Sequence, residues 1–126
     1  MKKIVKENIK LNSATKTNRA VCADVFDLLK KYESMDEKFD VIILDPPAFT
    51  KSAKMIEKAY GGYKEINLRA MRLLNKGGIL ITCSCSYFME TNMFCDMIMH
   101  AATDSHKKVQ ILEKRGAGPD HPVLLG

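Results

Sequence analysis

A chain of 126 residues is the size of one domain, and 46% hydrophobic with 28% charged side chains is ordinary globular usage, which excludes intrinsic disorder. Twenty basic against fifteen acidic residues give a net charge of +5, compatible with a polyanionic partner and equally with a lysine-rich solvated surface. No apolar run is long enough to span a membrane or to follow Met1-Lys2-Lys3 as a signal peptide, so a cytoplasmic protein with no membrane partner is expected.

The first apolar stripe, Ile4, Val5, Ile9 and Leu11, has helical spacing, with Lys2, Lys3, Lys6 and Lys10 toward solvent. Asn12-Ser13 ends it, and the polar stretch to Asn18 reads as a loop. Ala20–Ala23 is short and apolar enough for a strand. Asp24 stands at an N-cap position before Val25–Tyr32, where Val25, Leu28, Leu29 and Tyr32 form a helical face. Val41-Ile42-Ile43-Leu44 is apolar at every position, the pattern of a parallel strand buried on both faces, and Asp45-Pro46-Pro47 stops it. Residues 48–62 read as a lysine-bearing loop closed by Gly61-Gly62. Tyr63–Leu74 reads as a helix with Ile66, Ala70, Leu73 and Leu74 inward and Gly77 as its stop. Gly78–Cys83 is a second strand, Met93, Phe94, Met97, Ile98 and Ala101 mark a further helix, and Val109–Leu112 a last strand before a glycine- and proline-rich loop over 116–122. Strands alternating with helices predict an α/β architecture with a mostly parallel sheet and helices on both faces.

In such sheets ligands sit beyond the carboxyl ends of the strands, where Asp24, Asp45-Pro46-Pro47 and Ser84-Cys85-Ser86 all fall. An acid at a strand end, held by two stiff prolines, can accept hydrogen bonds from an amino group, and Phe49 can stack on a flat ring; a rigid turn whose Asp caps nearby amides gives the same pattern. A thiol at Cys85 sits where a thiolate nucleophile would be useful. Cys22 and Cys95 read as small hydrophobes, and the methionines as core filling. With no Cys-x-x-Cys pair and no well-spaced histidine, no metal site is expected. Asp24 either hydrogen-bonds an adenine amino group or simply caps its helix. Lys51, Lys54, Lys58 and Lys64, interleaved with Tyr60 and Tyr63, either track a phosphate backbone or form a solvated loop. His121 reads as structural.

Together, Phe39–Phe49, the Gly62-Tyr63-Lys64-Glu65-Ile66-Asn67 segment and Gly77–Ser86 resemble the class I S-adenosylmethionine-dependent methyltransferases, specifically the bacterial family that makes 5-methylcytosine in 23S ribosomal RNA. Asp120-His121-Pro122-Val123 fits the same resemblance, which runs from about Glu7 to Val123. It implies a partial Rossmann-like fold, S-adenosylmethionine as cofactor, ribosomal RNA as partner and Cys85 as the nucleophile that adds to C6 of cytosine. Asp45 would then hold the amino and ring-nitrogen edge of the base. Asp24, Val25, Asp45 and Pro46 would border the cofactor, and Pro47, Phe49, Lys51, Tyr63 and Lys64 the substrate. Ala48 stands where related cytosine methyltransferases carry a second cysteine.

The resemblance is incomplete. The family's glycine-rich cofactor loop and the acid after its second strand have no counterpart, so residues 1–126 are expected to form a partial catalytic domain. It would supply family strands 3 to 6, without the first two or the last, and lack most of the cofactor site. The resulting open sheet edges predict a rearranged sheet or a homo-oligomer. Two other functions fit the residues: methylation of an exocyclic amine, which needs the Asp-Pro-Pro unit but no thiol, and an inactive RNA-binding remnant. A nicotinamide-dependent dehydrogenase is disfavoured, because no Gly-x-Gly-x-x-Gly follows a strand.

Overall fold

The computed structural model describes residues 2–49, 52–86, 88–116 and 118. In chain order these form α1 (Lys2–Leu11), α2 (Val25–Ser34), β1 (Phe39–Leu44), a 3-10 turn (Ala53–Met55), α3 (Ile56–Leu73), β2 (Leu74–Thr82) and α4 (Thr91–Ser105). The fold is α/β: β1 and β2 pair in parallel, with Val41, Ile42, Ile43 and Leu44 opposite Ile79, Leu80, Ile81 and Thr82.

α3 organises the core, because it packs against α2, α4, β1 and β2. Ala59, Tyr63, Ile66, Ala70 and Leu73 recur at alternating spacings of four and three, so one face of α3 is wholly buried. Ile66, Ala70 and Leu73 meet Leu44 of β1 and Leu29 of α2, with Ile42, Leu80 and Phe26 packed around them. Tyr63 meets Met97 of α4 and Met89, and Met71 meets Ala101 and Ala102. A two-stranded sheet is marginal by itself; here α3 stabilises it by covering the face carrying Ile42, Leu44 and Leu80. The opposite face, carrying Val41, Ile43, Ile79 and Ile81, is 46–64% exposed. The helices that pack on the described strands thus lie on one side of the sheet, where helices on both faces were expected.

Several expected elements differ. Ala20–Ala23 and Val109–Leu112 are not strands: among the described residues no strand pairs with them, and Val21, Val109, Ile111 and Leu112 are exposed. Residues 56–62 belong to α3 and not to a loop, since burial of Ala59 and Tyr63 outweighs the roughly 1 kcal/mol that each mid-helix glycine costs. α3 ends at Leu73 and runs straight into β2, so Gly77 lies within the strand. There its φ of +79° accommodates the extra residues β2 carries between Leu74, opposite Phe39, and Ile79, opposite Val41. On α2 the inward aromatic residues are Phe26 and Tyr32, while Val25 is exposed. α1 is the helix its stripe predicts, yet it packs on no other element and leaves Ile4, Val5 and Leu11 exposed. No described helix is long and apolar enough to cross a membrane.

Candidate functional site at the strand ends

The parallel register sets Leu44 beside Thr82, so the segments leaving β1 and β2 emerge side by side. The Cys83 amide donates to the Leu44 carbonyl at 2.9 Å, carrying the ladder one residue past the strands. One step further the Cys85 thiol reaches the Pro46 carbonyl oxygen at 3.7 Å. Asp45-Pro46 and Cys85 are therefore together, as expected of two groups at adjacent carboxyl ends. The Asp45 carboxylate is exposed and has no hydrogen bond or ion pair among the described residues.

The Ser84-Cys85-Ser86 turn is held from below by Tyr63, which is fully buried. Ser84 Oγ donates to the Tyr63 hydroxyl at 3.2 Å, leaving the phenol proton for Ser86 Oγ at 3.1 Å. The Ser86 amide returns to Ser84 Oγ at 3.3 Å. Three hydrogen bonds thus close a ring around the backbone of Cys85, whose side chain points outward and is exposed. Sequence reasoning put Tyr63 against the substrate and missed this link. The available signal was its helical spacing to Ile66 and Ala70, which places it on the buried stripe.

Phe49 lies over Tyr63 with ring centroids 4.5 Å apart, and 6.2 Å from Phe26. Its ring atoms come within 3.4 Å of where a Cβ would stand on Gly62. Phe49 thus fastens the loop after β1 onto α3 and brings the start of α2 beside it. There Asp24 caps the helix, its Oδ1 accepting from the amides of Phe26 at 2.9 Å and Asp27 at 3.3 Å. The capping reading of Asp24 is realised through that one oxygen. Val25 and Pro47 are exposed, and Pro46 is half-buried.

Lys64 is turned away from the strand ends. It pairs with Asp104 of α4 at 2.6 Å, one turn from the 2.6 Å hydrogen bond between the Tyr60 hydroxyl and His100 Nδ1. The Lys64–Asp104 hydrogen bond holds the Lys64 ammonium above its ordinary range and the Asp104 carboxyl below its own. Lys54 and Lys58 are exposed; Lys51 and the Asp120–Val123 segment lie outside the described residues. Among the described residues no three His, Cys, Asp or Glu side chains gather as metal ligands.

The described residues fit part of an adenosyl-sulfonium cofactor. Asp45 and one oxygen of Asp24 offer carboxylates, and Thr82 Oγ1, buried at the last position of β2, has no hydrogen-bond partner among the described residues. Neither a glycine-rich turn nor a further acid at these strand ends completes a ribose and carboxylate site. Two surface clefts, of about 170 and 420 Å³, are lined by none of residues 45–49 or 83–86.

The α/β layer with a parallel strand pair is consistent with a partial Rossmann-like fold. Comparison with known proteins points the same way. The chain is 43% identical over 122 residues to ribosomal RNA large subunit methyltransferase I of Cronobacter sakazakii, covering 96% of this chain and 31% of that protein. The same holds for its namesake in Escherichia coli O1:K1 / APEC. It is 48% identical over 103 residues to the protein of that name in Photobacterium profundum, 82% of this chain and 26% of the relative. The chain thus spans about a quarter to a third of the length of these relatives. No protein-family profile matches it.

Proposed function

We propose that residues 1–126 are a catalytic portion of a ribosomal RNA methyltransferase that acts on C5 of cytosine, with S-adenosylmethionine as methyl donor. The observation that carries this reading is the meeting of the Cys85 thiol and the Asp45-Pro46 turn, 3.7 Å apart, at the ends of two parallel strands. The names of the relatives support ribosomal RNA as substrate.

Cytosine C5 is a weak nucleophile. A thiolate from Cys85 adding to C6 pushes an electron pair toward C5 and so makes C5 able to accept the methyl group that a bound adenosyl-sulfonium cofactor would supply. A base removes the C5 proton, and the electron pair released expels the thiolate. Asp45, exposed and without a partner among the described residues, accepts from the exocyclic amino group and orients the ring. Asp24, Val25, Asp45 and Pro46 border the cofactor on one side, and Pro47 and Phe49 flank the RNA side, with the buried Tyr63 supporting Phe49 from beneath and Lys64 held by Asp104 away from it. Open sheet edges and a bare sheet face favour completion by further polypeptide or a second copy of the chain, in the cytoplasm where ribosomal RNA is handled.

Two measurements test the reading. Calorimetric titration of S-adenosylmethionine into the chain should give a dissociation constant near 100 µM or tighter, about 5.5 kcal/mol, if the cofactor site is complete. No heat of binding would place the rest of that site on other polypeptide. In a ribosomal RNA methylation assay Cys85→Ala should abolish product; methylation that survives it would instead indicate exocyclic-amine chemistry.

A further inference from the structure

We infer that Tyr63 is a positioning residue: its buried hydroxyl fixes the Ser84-Cys85-Ser86 turn and so sets where the Cys85 thiol stands. The inference rests on the reading of Cys85 as the nucleophile.

Tyr63 cannot touch a substrate, because no part of it is exposed. Its phenol is nevertheless polar, and burying such a group is unfavourable unless it is hydrogen-bonded. Both of its partners flank Cys85: Ser84 at 3.2 Å and Ser86 at 3.1 Å. With the Ser86 amide returning to Ser84, the three bonds form a closed ring in which each bond polarises the next. The residue between two tethered neighbours has little freedom. Its side chain leaves on the opposite side, toward Pro46.

The anchor is itself fixed. Tyr63 lies against Phe49 at 4.5 Å and edge-on to Phe94 at 6.1 Å, so its ring is clamped between the loop after β1 and α4. One turn along α3, the buried Asn67 amide donates to the Tyr63 carbonyl at 2.8 Å. A thiol on an irregular turn would otherwise wander over distances that matter, since catalytic geometry tolerates errors of well under about 1 Å. Here the turn is referenced to the most deeply buried helix.

Tyr63→Phe removes the hydroxyl and keeps the ring, and the rate of iodoacetamide alkylation at Cys85, followed by peptide mass spectrometry, reads the result. Cys22, exposed and on a separate segment, is the internal reference. Release of the turn should raise the Cys85-to-Cys22 rate ratio at least threefold. Ser84→Ala with Ser86→Ala should give a similar rise, and adding Tyr63→Phe to that pair should add nothing, because the three side chains share one network. An unchanged ratio in Tyr63→Phe, with the circular dichroism of the native chain retained, would overturn the inference, as would additive effects. If Tyr63→Phe does not fold, the serine pair decides by the same ratio. In the unsubstituted chain, a Cys85 no faster than Cys22 counts against Cys85 as nucleophile, whereas the variant-to-native ratio judges Tyr63.

Discussion

A methyl group added at Gly61 meets nothing within 4 Å, while one added at Gly78 lands 3.0 Å from the Asn75 carbonyl oxygen and 3.1 Å from that of Asp40. Gly61 sits inside α3, where glycine only costs backbone entropy. Gly61→Ala should therefore stabilise the chain by about 0.5–1 kcal/mol. Gly78→Ala should destabilise it by roughly 1–3 kcal/mol, because the obstruction is backbone and the strand pair must open to relieve it. Urea unfolding of both variants, compared at equal slope, measures the two effects; a loss at Gly61 would mean that the helix is not formed there. Cys85 and Asp45 were legible in the sequence because strand ends are recognisable from an apolar run and its stop, and Asp24 because an acid before a helical stripe reads as its cap. Tyr63 was legible only as a residue near the site: that its hydroxyl bonds two serines 21 and 23 positions away is a tertiary fact.

Among the elements, α3 carries the connections. Arg69 joins it to α2 through Glu33 at 2.8 Å while also bonding Glu65 at 2.7 Å, and Tyr60 and Lys64 join it to α4. The Lys64–Asp104 pair gives a pH signature. The hydrogen bond from Lys64 is the main cause of the lowered Asp104 value, and the same bond raises Lys64. A carboxylate whose folded value is depressed stabilises the fold above its unfolded value and loses that contribution as pH falls through the folded one. An amine whose folded value is raised keeps its contribution below its unfolded value and loses it as pH rises through the folded one. The pair thus acts across the neutral range. Asp104→Asn should lower the melting temperature at neutral pH and make no difference once the pH lies below the depressed Asp104 value. Melting curves of both proteins over that range provide the check, and a difference that persists in acid would exclude the ion pair as its cause. The start of α3 reads as loop in the sequence because two adjacent glycines are ordinarily a turn signal; Ala59 and Tyr63, buried on the same stripe, decide otherwise.

For the whole molecule, the bare sheet face is the dominant feature. Val41 is 53%, Ile43 64%, Ile79 47% and Ile81 46% exposed, four β-branched side chains on one surface. A patch of this kind ordinarily marks an interface. Ile43→Lys should leave thermal stability within about 0.5 kcal/mol, as an exposed position permits, and reduce concentration-dependent association. Sedimentation velocity of the two proteins over a range of concentration reads this out. A large loss of stability with Ile43→Lys would show that the face is already covered within the chain.

The α/β class, the helical stripes of α2 to α4, the two paired strands and the convergence of Asp45-Pro46-Pro47 with Cys85 followed from local patterns, because burial imposes its period on the chain residue by residue. Strand identity at Ala20–Ala23 and Val109–Leu112 did not, because a strand exists only where a neighbour completes its hydrogen bonds. Apolar composition says that a segment can join a sheet, and only the tertiary structure says whether one is there to join. The same holds for Tyr63, whose burial was written in the spacing of α3 and whose partners were decided by the way α3 crosses beneath the ends of β1 and β2.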